Sequence, residues 1–106
     1  MRSADVYLRE VRAGLLEELD RGYRFTYRSD YLERPDAEAI ALTLPLAATP
    51  YETSQALPPF FDGLIPEGWL LQLALGEFGI ALRDRFGLLL ATGRDTIGAV
   101  RVRPAA

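Results

Sequence analysis

From Tyr23 to Arg28 the chain alternates aromatic and polar side chains, Tyr-Arg-Phe-Thr-Tyr-Arg, its clearest period of two. That spacing predicts a strand with Tyr23, Phe25 and Tyr27 on one face, packed under helices. Asp20-Arg21-Gly22 reads as the hairpin turn before it, with Gly22 able to take a positive φ. Upstream, residues 5–9 and 11–16 form two apolar-rich runs around a charged turn and predict two more strands. Residues 40–44, Ile-Ala-Leu-Thr-Leu, predict a further strand stopped by Pro45. Residues 47–56 have no sustained apolar period and read as a loop.

Beyond that loop the period becomes helical. Pro58 and Pro59 suit a first helical turn, where a missing N–H costs nothing, and Phe60, Phe61 and Leu64 follow at helical spacing. Asp62-Gly63 predicts that this helix is short, and Phe60 and Phe61 are both expected in the core. Pro66-Glu67 opens a second helix through about Phe78, with Glu67 well placed against the helix dipole. Asp84 starts a third, which Gly93 is expected to close in a C′ position. Residues 97–103 return to period two as a last strand, with Arg101 and Arg103 on its solvent side. The expected fold is α+β: a small antiparallel β-sheet with about three helices packed on one face, closed by a C-terminal strand, in a single domain over residues 1–106.

Composition narrows the chemistry. Apolar residues make up 49% and charged residues 25%, which is the balance of a globular chain rather than a disordered one. No apolar run approaches the roughly 20 residues that cross a bilayer, and the first residues lack a signal-peptide core, so a cytoplasmic protein without membrane contact is expected. Histidine and cysteine are absent, and all twelve positive charges are arginine. The commonest general base, the thiolate nucleophile, the Schiff-base amine and the P-loop lysine are therefore missing. A net charge of −3 with dispersed arginines disfavours direct nucleic-acid binding. Acidic pairs such as Glu17-Glu18, and Asp84 near Glu77, read as solvated surface. Thr92 to Thr96 reads as a helix end and turn, with Arg94 and Asp95 making local contacts. No catalytic, metal or cofactor constellation emerges, so no enzyme activity and no cofactor are expected.

Two longer segments carry a resemblance. LPPFFDGLIPEGWLLQLAL, and later DRFGLLLATGRDTIGAVRV, resemble the N-terminal subdomain of HipA-type serine/threonine kinases. Phe60, Phe61, Asp62, Leu64, Pro66, Glu67 and Gly68 match that family's FFDNLLPEG-like segment. Asp84, Phe86, Leu88, Leu89, Gly93, Arg94, Asp95, Gly98, Ala99 and Val100 match its DPF-x-LL-x-x-x-GRD-x-x-GAV segment. LTLPLAATPY looks like the family's S-L-P-L strand and loop. Gly63 stands where Asn is common, and Arg85 where Pro is common. The family's ATP and magnesium ligands, catalytic aspartate and phosphorylated loop all lie beyond this subdomain, so the resemblance implies a kinase-associated chain rather than a kinase.

The resemblance also implies partners. In one branch of the family the kinase, HipT, lacks this subdomain, and a separate HipS-like protein similar to it acts as antitoxin beside a DNA-binding HipB. A chain running from Met1 to just past the last strand is similar to that antitoxin. A HipA-like or HipT kinase is then the expected partner, with a HipB-like protein in a ternary complex. Two alternatives stand beside it: a severed structural piece of a larger kinase, and a small independent enzyme or ligand-binding domain.

The second helix supplies the candidate site. At about 100° per residue, Leu70, Leu71, Ala74, Leu75 and Phe78 fall on one core-facing arc. Gln72, Gly76 and Glu77 fall on the opposite arc, and so do Trp69 and Leu73, one turn apart. Trp69 is the expected anchor for a kinase pocket, Leu73 lies beside it, and Gly76 permits close approach. Gln72 and Glu67 complete the candidate partner-binding surface. The competing reading places Trp69 back over the loop before Pro66, as core.

Overall fold

The structure, a computed structural model, describes residues 1–65, 76, 79–81, 83–93 and 99–105. Its strands are β1 (Ser3–Leu8), β2 (Val11–Glu18), β3 (Tyr23–Tyr27), β4 (Tyr51–Thr53) and β5 (Val100–Pro104), in one sheet of order β4-β3-β2-β1-β5. Every neighbouring pair is antiparallel. Helices α1 (Ser29–Leu32), α2 (Pro59–Asp62) and α3 (Arg85–Thr92) pack on one face. The α+β sheet-and-helix fold is the expected one, and the C-terminal strand closes it by pairing beside β1.

The alternation in β3 decides which face is covered. Phe25 meets Phe61 of α2 with ring centroids 5.5 Å apart, Tyr27 stacks on Tyr31 of α1 at 6.1 Å, and Tyr23 stacks on Phe86 of α3 at 5.7 Å. One residue pattern thus receives these three helices, each through an aromatic pair. The register carries the same face across the sheet, from Phe25 to Leu16 to Ala4, and from Tyr27 to Gly14 to Val6 to Val102. A register shift between Val6 and Tyr7 leaves Ala13 extra in β2, which is why Ala13 and Gly14 are both buried. In β5, Val100 and Val102 face the core while Arg101 and Arg103 face outward, as the alternation predicts.

Turn chemistry follows the sequence at most joints. Gly22 has φ 79, and a Cβ there would stand 1.7 Å from the Thr53 carbonyl oxygen, so glycine both makes the β2–β3 turn and admits β4. Pro58 is the N-cap of α2 with Pro59 in its first turn, and Gly63 ends it. Asp84 caps α3 by accepting a hydrogen bond from the Gly87 N–H at 3.1 Å.

Several expectations are corrected. Residues 40–44 are not a strand: they form a tight turn with a single bridge between Ala41 and Leu44. Their backbone is held by a side chain instead of a ladder. The Tyr27 hydroxyl accepts from the Ile40 N–H at 3.0 Å and donates to the Leu44 carbonyl. Ile40 and Leu44 are buried and Leu42 between them is exposed, the reverse of what one strand face would require. The presumed loop 47–56 contains β4, too short to show a period and formed by pairing with β3. Gly93 is a C-cap with φ −71, not a left-handed C′ residue. Its lack of a side chain serves packing, since a Cβ would lie 3.0 Å from that of Val102. Phe61 is fully buried, but Phe60 is only half-buried, edge-on to Phe61 at 5.3 Å. Helix α1, a single turn, has no pattern long enough to predict.

Candidate interaction surface

Four of the five residues nominated for partner binding, Trp69, Leu73, Gln72 and Glu67, lie outside the described residues, as do Arg94, Asp95 and Glu77. Gly76 is described: it is helical and exposed, with open space where a Cβ would stand. Two polar ties join the described elements α2, α3 and the sheet.

The first tie joins α2 to α3. Arg85 Nε donates to Asp62 Oδ1 at 2.8 Å, so the last residue of α2 and the first of α3 are bonded directly. Arg85 occupies the position where the resembled motif has proline, and here it gains a charged contact back to the Phe-Phe-Asp turn. Both side chains are more than a third exposed, so the pair orients more than it stabilises. Behind it, Phe61, Ile65, Phe86, Leu88 and Leu89 are buried and supply the packing energy.

The second tie is a clasp around Arg2. Its guanidinium donates from Nε and Nη2 to Glu18 at 3.1 and 2.8 Å, and from Nη1 and Nη2 to Asp84 at 3.0 and 2.8 Å. The same guanidinium lies over the Phe86 ring, 5.3 Å from its centroid. Planar, forked and always charged, arginine satisfies two carboxylates and an aromatic face at once, which a lysine ammonium cannot. The clasp links the N-terminal strand, the end of β2 and the start of α3. Its hydrogen bonds hold Glu18 and Asp84 below the usual carboxylate range and push Arg2 above its own. Carboxylates locked in the charged form are poor proton donors at neutral pH.

The clasp corrects the expectation that Glu18 and Asp84 are solvated surface, since both accept hydrogen bonds from Arg2. Its partners are 16 and 82 residues apart, beyond any local period. One signal was present: in β2, alternation places Glu18 on the same side as Leu16 and opposite Tyr23. An acid at a core-facing position needs a cation nearby.

Among the described residues no group of three or more metal-ligating side chains forms. The larger described cleft, about 430 Å3, sits at the β2–β3 turn and is lined by Glu18, Asp20, Arg21, Tyr23, Ser54 and Gln55 among others. No helix of the described residues is long and apolar enough to cross a membrane.

The comparisons with known proteins agree with this architecture. The family model for the HipA N-terminal domain matches residues 4–103. A protein of Haemophilus influenzae is 36% identical over 103 residues, covering 97% of this chain and 92% of that protein. A solved structure of the N-terminal domain of HipA toxin superposes with a TM-score of 0.74 at 29% identity, covering 100% of this chain and 94% of that one. A chain from the Shewanella oneidensis toxin–antitoxin complex of HipA, HipB and operator DNA gives a TM-score of 0.77 at 25% identity. There the match covers 97% of this chain but only 24% of the other.

Proposed function

This chain belongs to the HipA N-terminal domain family, and from that premise we propose that it is a HipS-like antitoxin, binding and inhibiting a HipA-like (HipT) serine/threonine kinase. The observation that carries the proposal is the Haemophilus relative, of which this domain makes up 92%. A protein consisting almost wholly of this domain has little room for a kinase's catalytic lobe, so its role falls on binding. In this reading the chain has no catalysis and no cofactor of its own and acts in the cytoplasm. A HipB-like protein supplies DNA contact in a ternary complex, because a net charge of −3 gives no basic stripe for phosphate.

The contact assigned to the kinase is the polar side of the segment after Pro66. Trp69 is the anchor, flanked by Leu73, Gly76, Gln72 and Glu67. Truncating a tryptophan anchor typically costs ~2 kcal/mol or more, about thirtyfold in affinity. A second reading has its own support: in the Shewanella HipA complex the matched domain is 24% of a longer chain. There it is one part of a larger molecule, and a severed copy would be structural only.

Co-expression with a short HipA-type kinase separates the two. The antitoxin reading expects a complex that survives purification, loss of kinase activity in that complex, and recovery of activity with Trp69→Ala while the domain keeps its Tm. Absence of both binding and inhibition leaves the structural reading. Incubating the isolated chain with Mg-ATP should give no autophosphorylation, and phosphate transfer would overturn the non-catalytic assignment.

A further inference from the structure

On and beside the sheet, most arginines have a carboxylate of their own. Arg12 meets Asp5 at 3.6 Å, Arg24 meets Glu52 at 3.1 Å and Glu17 at 3.9 Å, and Arg28 meets Asp30 at 3.0 Å. Arg101 and Arg103 of β5 pair with no carboxylate among the described residues. Asp5 stands opposite Arg103 in the register, but it is the partner of Arg12. The two β5 arginines converge instead with Arg9 on a cleft of about 230 Å3, whose other lining residues are Tyr7 and Glu10.

Each arginine of this cleft is placed by the fold. The Arg103 guanidinium lies over the Tyr7 ring, 5.0 Å from its centroid, and Tyr7 is the cross-strand partner of Arg101. One ring thus orients Arg103 by cation–π contact and stands opposite Arg101. Arg9 is the first residue of the two-residue loop between Leu8 and Val11, and its φ is 58. Glycine or asparagine is favoured at a left-handed position of such a loop. An arginine kept there is backbone strain of the kind that gathers at functional sites. The Arg9 N–H bonds the Ala99 carbonyl at 2.7 Å, which ties the turn to the start of β5. Its Nη1 meets Glu38 at 3.1 Å, and Glu38 holds the side chain without lining the cleft.

We propose that this cleft is a binding site for a phosphate group, free or carried on a phosphorylated side chain. Three guanidinium groups against the single carboxylate of Glu10 leave the lining with a surplus of positive charge, in a chain whose net charge is −3. Like charges gathered around one space repel, and a bound dianion relieves that repulsion. Three planar forks also need more acceptor atoms than the two oxygens of a carboxylate, and a phosphate monoester offers three. The volume is below the ~300 Å3 at the small end of drug-sized pockets, so the site takes a group rather than a whole cofactor. Duplex DNA is the poorer occupant, because one cleft on an acidic chain supplies no stripe along which several phosphates could be neutralised. The site belongs to this domain whether or not the chain inhibits a kinase.

The test titrates the whole chain with inorganic phosphate and, separately, with phosphoserine at constant ionic strength. Backbone amide NMR shifts of Tyr7, Arg9, Arg101 and Arg103 are followed. Both probes should bind saturably in the millimolar range. Tighter binding of phosphoserine supports a phosphorylated side chain as the source, and tighter binding of inorganic phosphate supports the free ion. Arg101→Gln and Arg103→Gln should each weaken phosphate by about tenfold. Arg24→Gln, three strands from β5 and already paired, should change it by less than about twofold. Glu10→Gln should tighten binding by removing the opposing charge. Shifts that fail to saturate, or that chloride reproduces, mean an adventitious ion only and overturn the site. Formate binding as tightly as phosphate overturns the choice of ligand. Equal weakening by Arg24→Gln reduces the effect to overall charge, and an unchanged affinity in Glu10→Gln removes the cleft from the binding even where an arginine variant fails to fold. Duplex DNA saturating the same amides at physiological salt reassigns the cleft to nucleic acid and overturns the proposal.

Discussion

Helix α3 and the turn at residues 40–44 are both leucine-rich, yet they are held by opposite means. In α3, Phe86, Leu88 and Leu89 are fully buried, and a charged clasp of Arg2, Glu18 and Asp84 fixes the helix start. The turn sends two apolar side chains inward and one outward, and tyrosine hydroxyls hold its backbone. The difference teaches where each region's order comes from. Helix α3 makes its own backbone bonds and needs only apolar area to dock it. The turn has almost no internal ladder, so its N–H and C=O groups must be satisfied from outside, and an aromatic hydroxyl does this without adding charge.

The contrast can be broken most forcefully at Phe86. Phe86→Ala removes a fully buried ring that stacks on Tyr23 and lies under Arg2, and should cost about 3–5 kcal/mol in urea unfolding. A loss below about 1 kcal/mol would mean that α3 is not anchored by burial.

Tyr27→Phe should cost less, about 1–3 kcal/mol, since it orphans the buried Ile40 N–H and Leu44 carbonyl while keeping the ring. Its signature is local. Amide exchange at Ile40 and Leu44 should accelerate while α3 amides keep their protection. Equal acceleration in α3 would show that the two regions open as one unit and that the contrast is false.

The clasp should appear in the acid limb of stability. Glu18 and Asp84 have lowered pKa values when folded, through Arg2, so their contribution is present above the ordinary carboxylate value near 4. It is lost as pH falls from there through the lowered folded values. The Arg2 side chain is 40% exposed, so solvent screening keeps the effect to about 1 kcal/mol or less. Arg2→Ala should flatten the acid limb. A limb of unchanged slope would mean that other carboxylates set it.

Smallest of all, Leu42→Asp should change folding stability by less than about 0.5 kcal/mol, because the side chain is wholly in water. Urea unfolding measures it, and the value sharpens the contrast with Phe86 directly.

Much of the frame was legible because its causes are local. The Tyr23/Phe25/Tyr27 alternation, the Pro58-Pro59 helix start, the Asp84 cap and the Val100/Val102 face each follow from a few adjacent residues. The misreadings have one physical origin. At residues 40–44 the alternation was real, but a hydroxyl 13 and 17 residues away took the backbone bonds that a strand would have used. β4 exists because β3 offers it an edge and Gly22 leaves room, and neither fact is visible between residues 51 and 53. Gly93 signalled a helix end correctly, but its reason is Val102 of β5 rather than a left-handed cap. In the candidate site, Gly76 is exposed, and Trp69, Leu73, Gln72 and Glu67 lie outside the described residues.

By itself, the sequence determined this protein's family, its α+β class and the face on which β3 receives the helices, because motif, period and cap chemistry are written in neighbouring residues. Tertiary structure alone decided that Arg2 closes over Glu18 and Asp84, that Arg85 reaches Asp62, and that Leu42 stands in water on a pinned turn. Each of these depends on side chains brought together from distant parts of the chain. Short-range electrostatics and hydrogen bonding act across a few ångströms of space, and no pattern along the backbone records them.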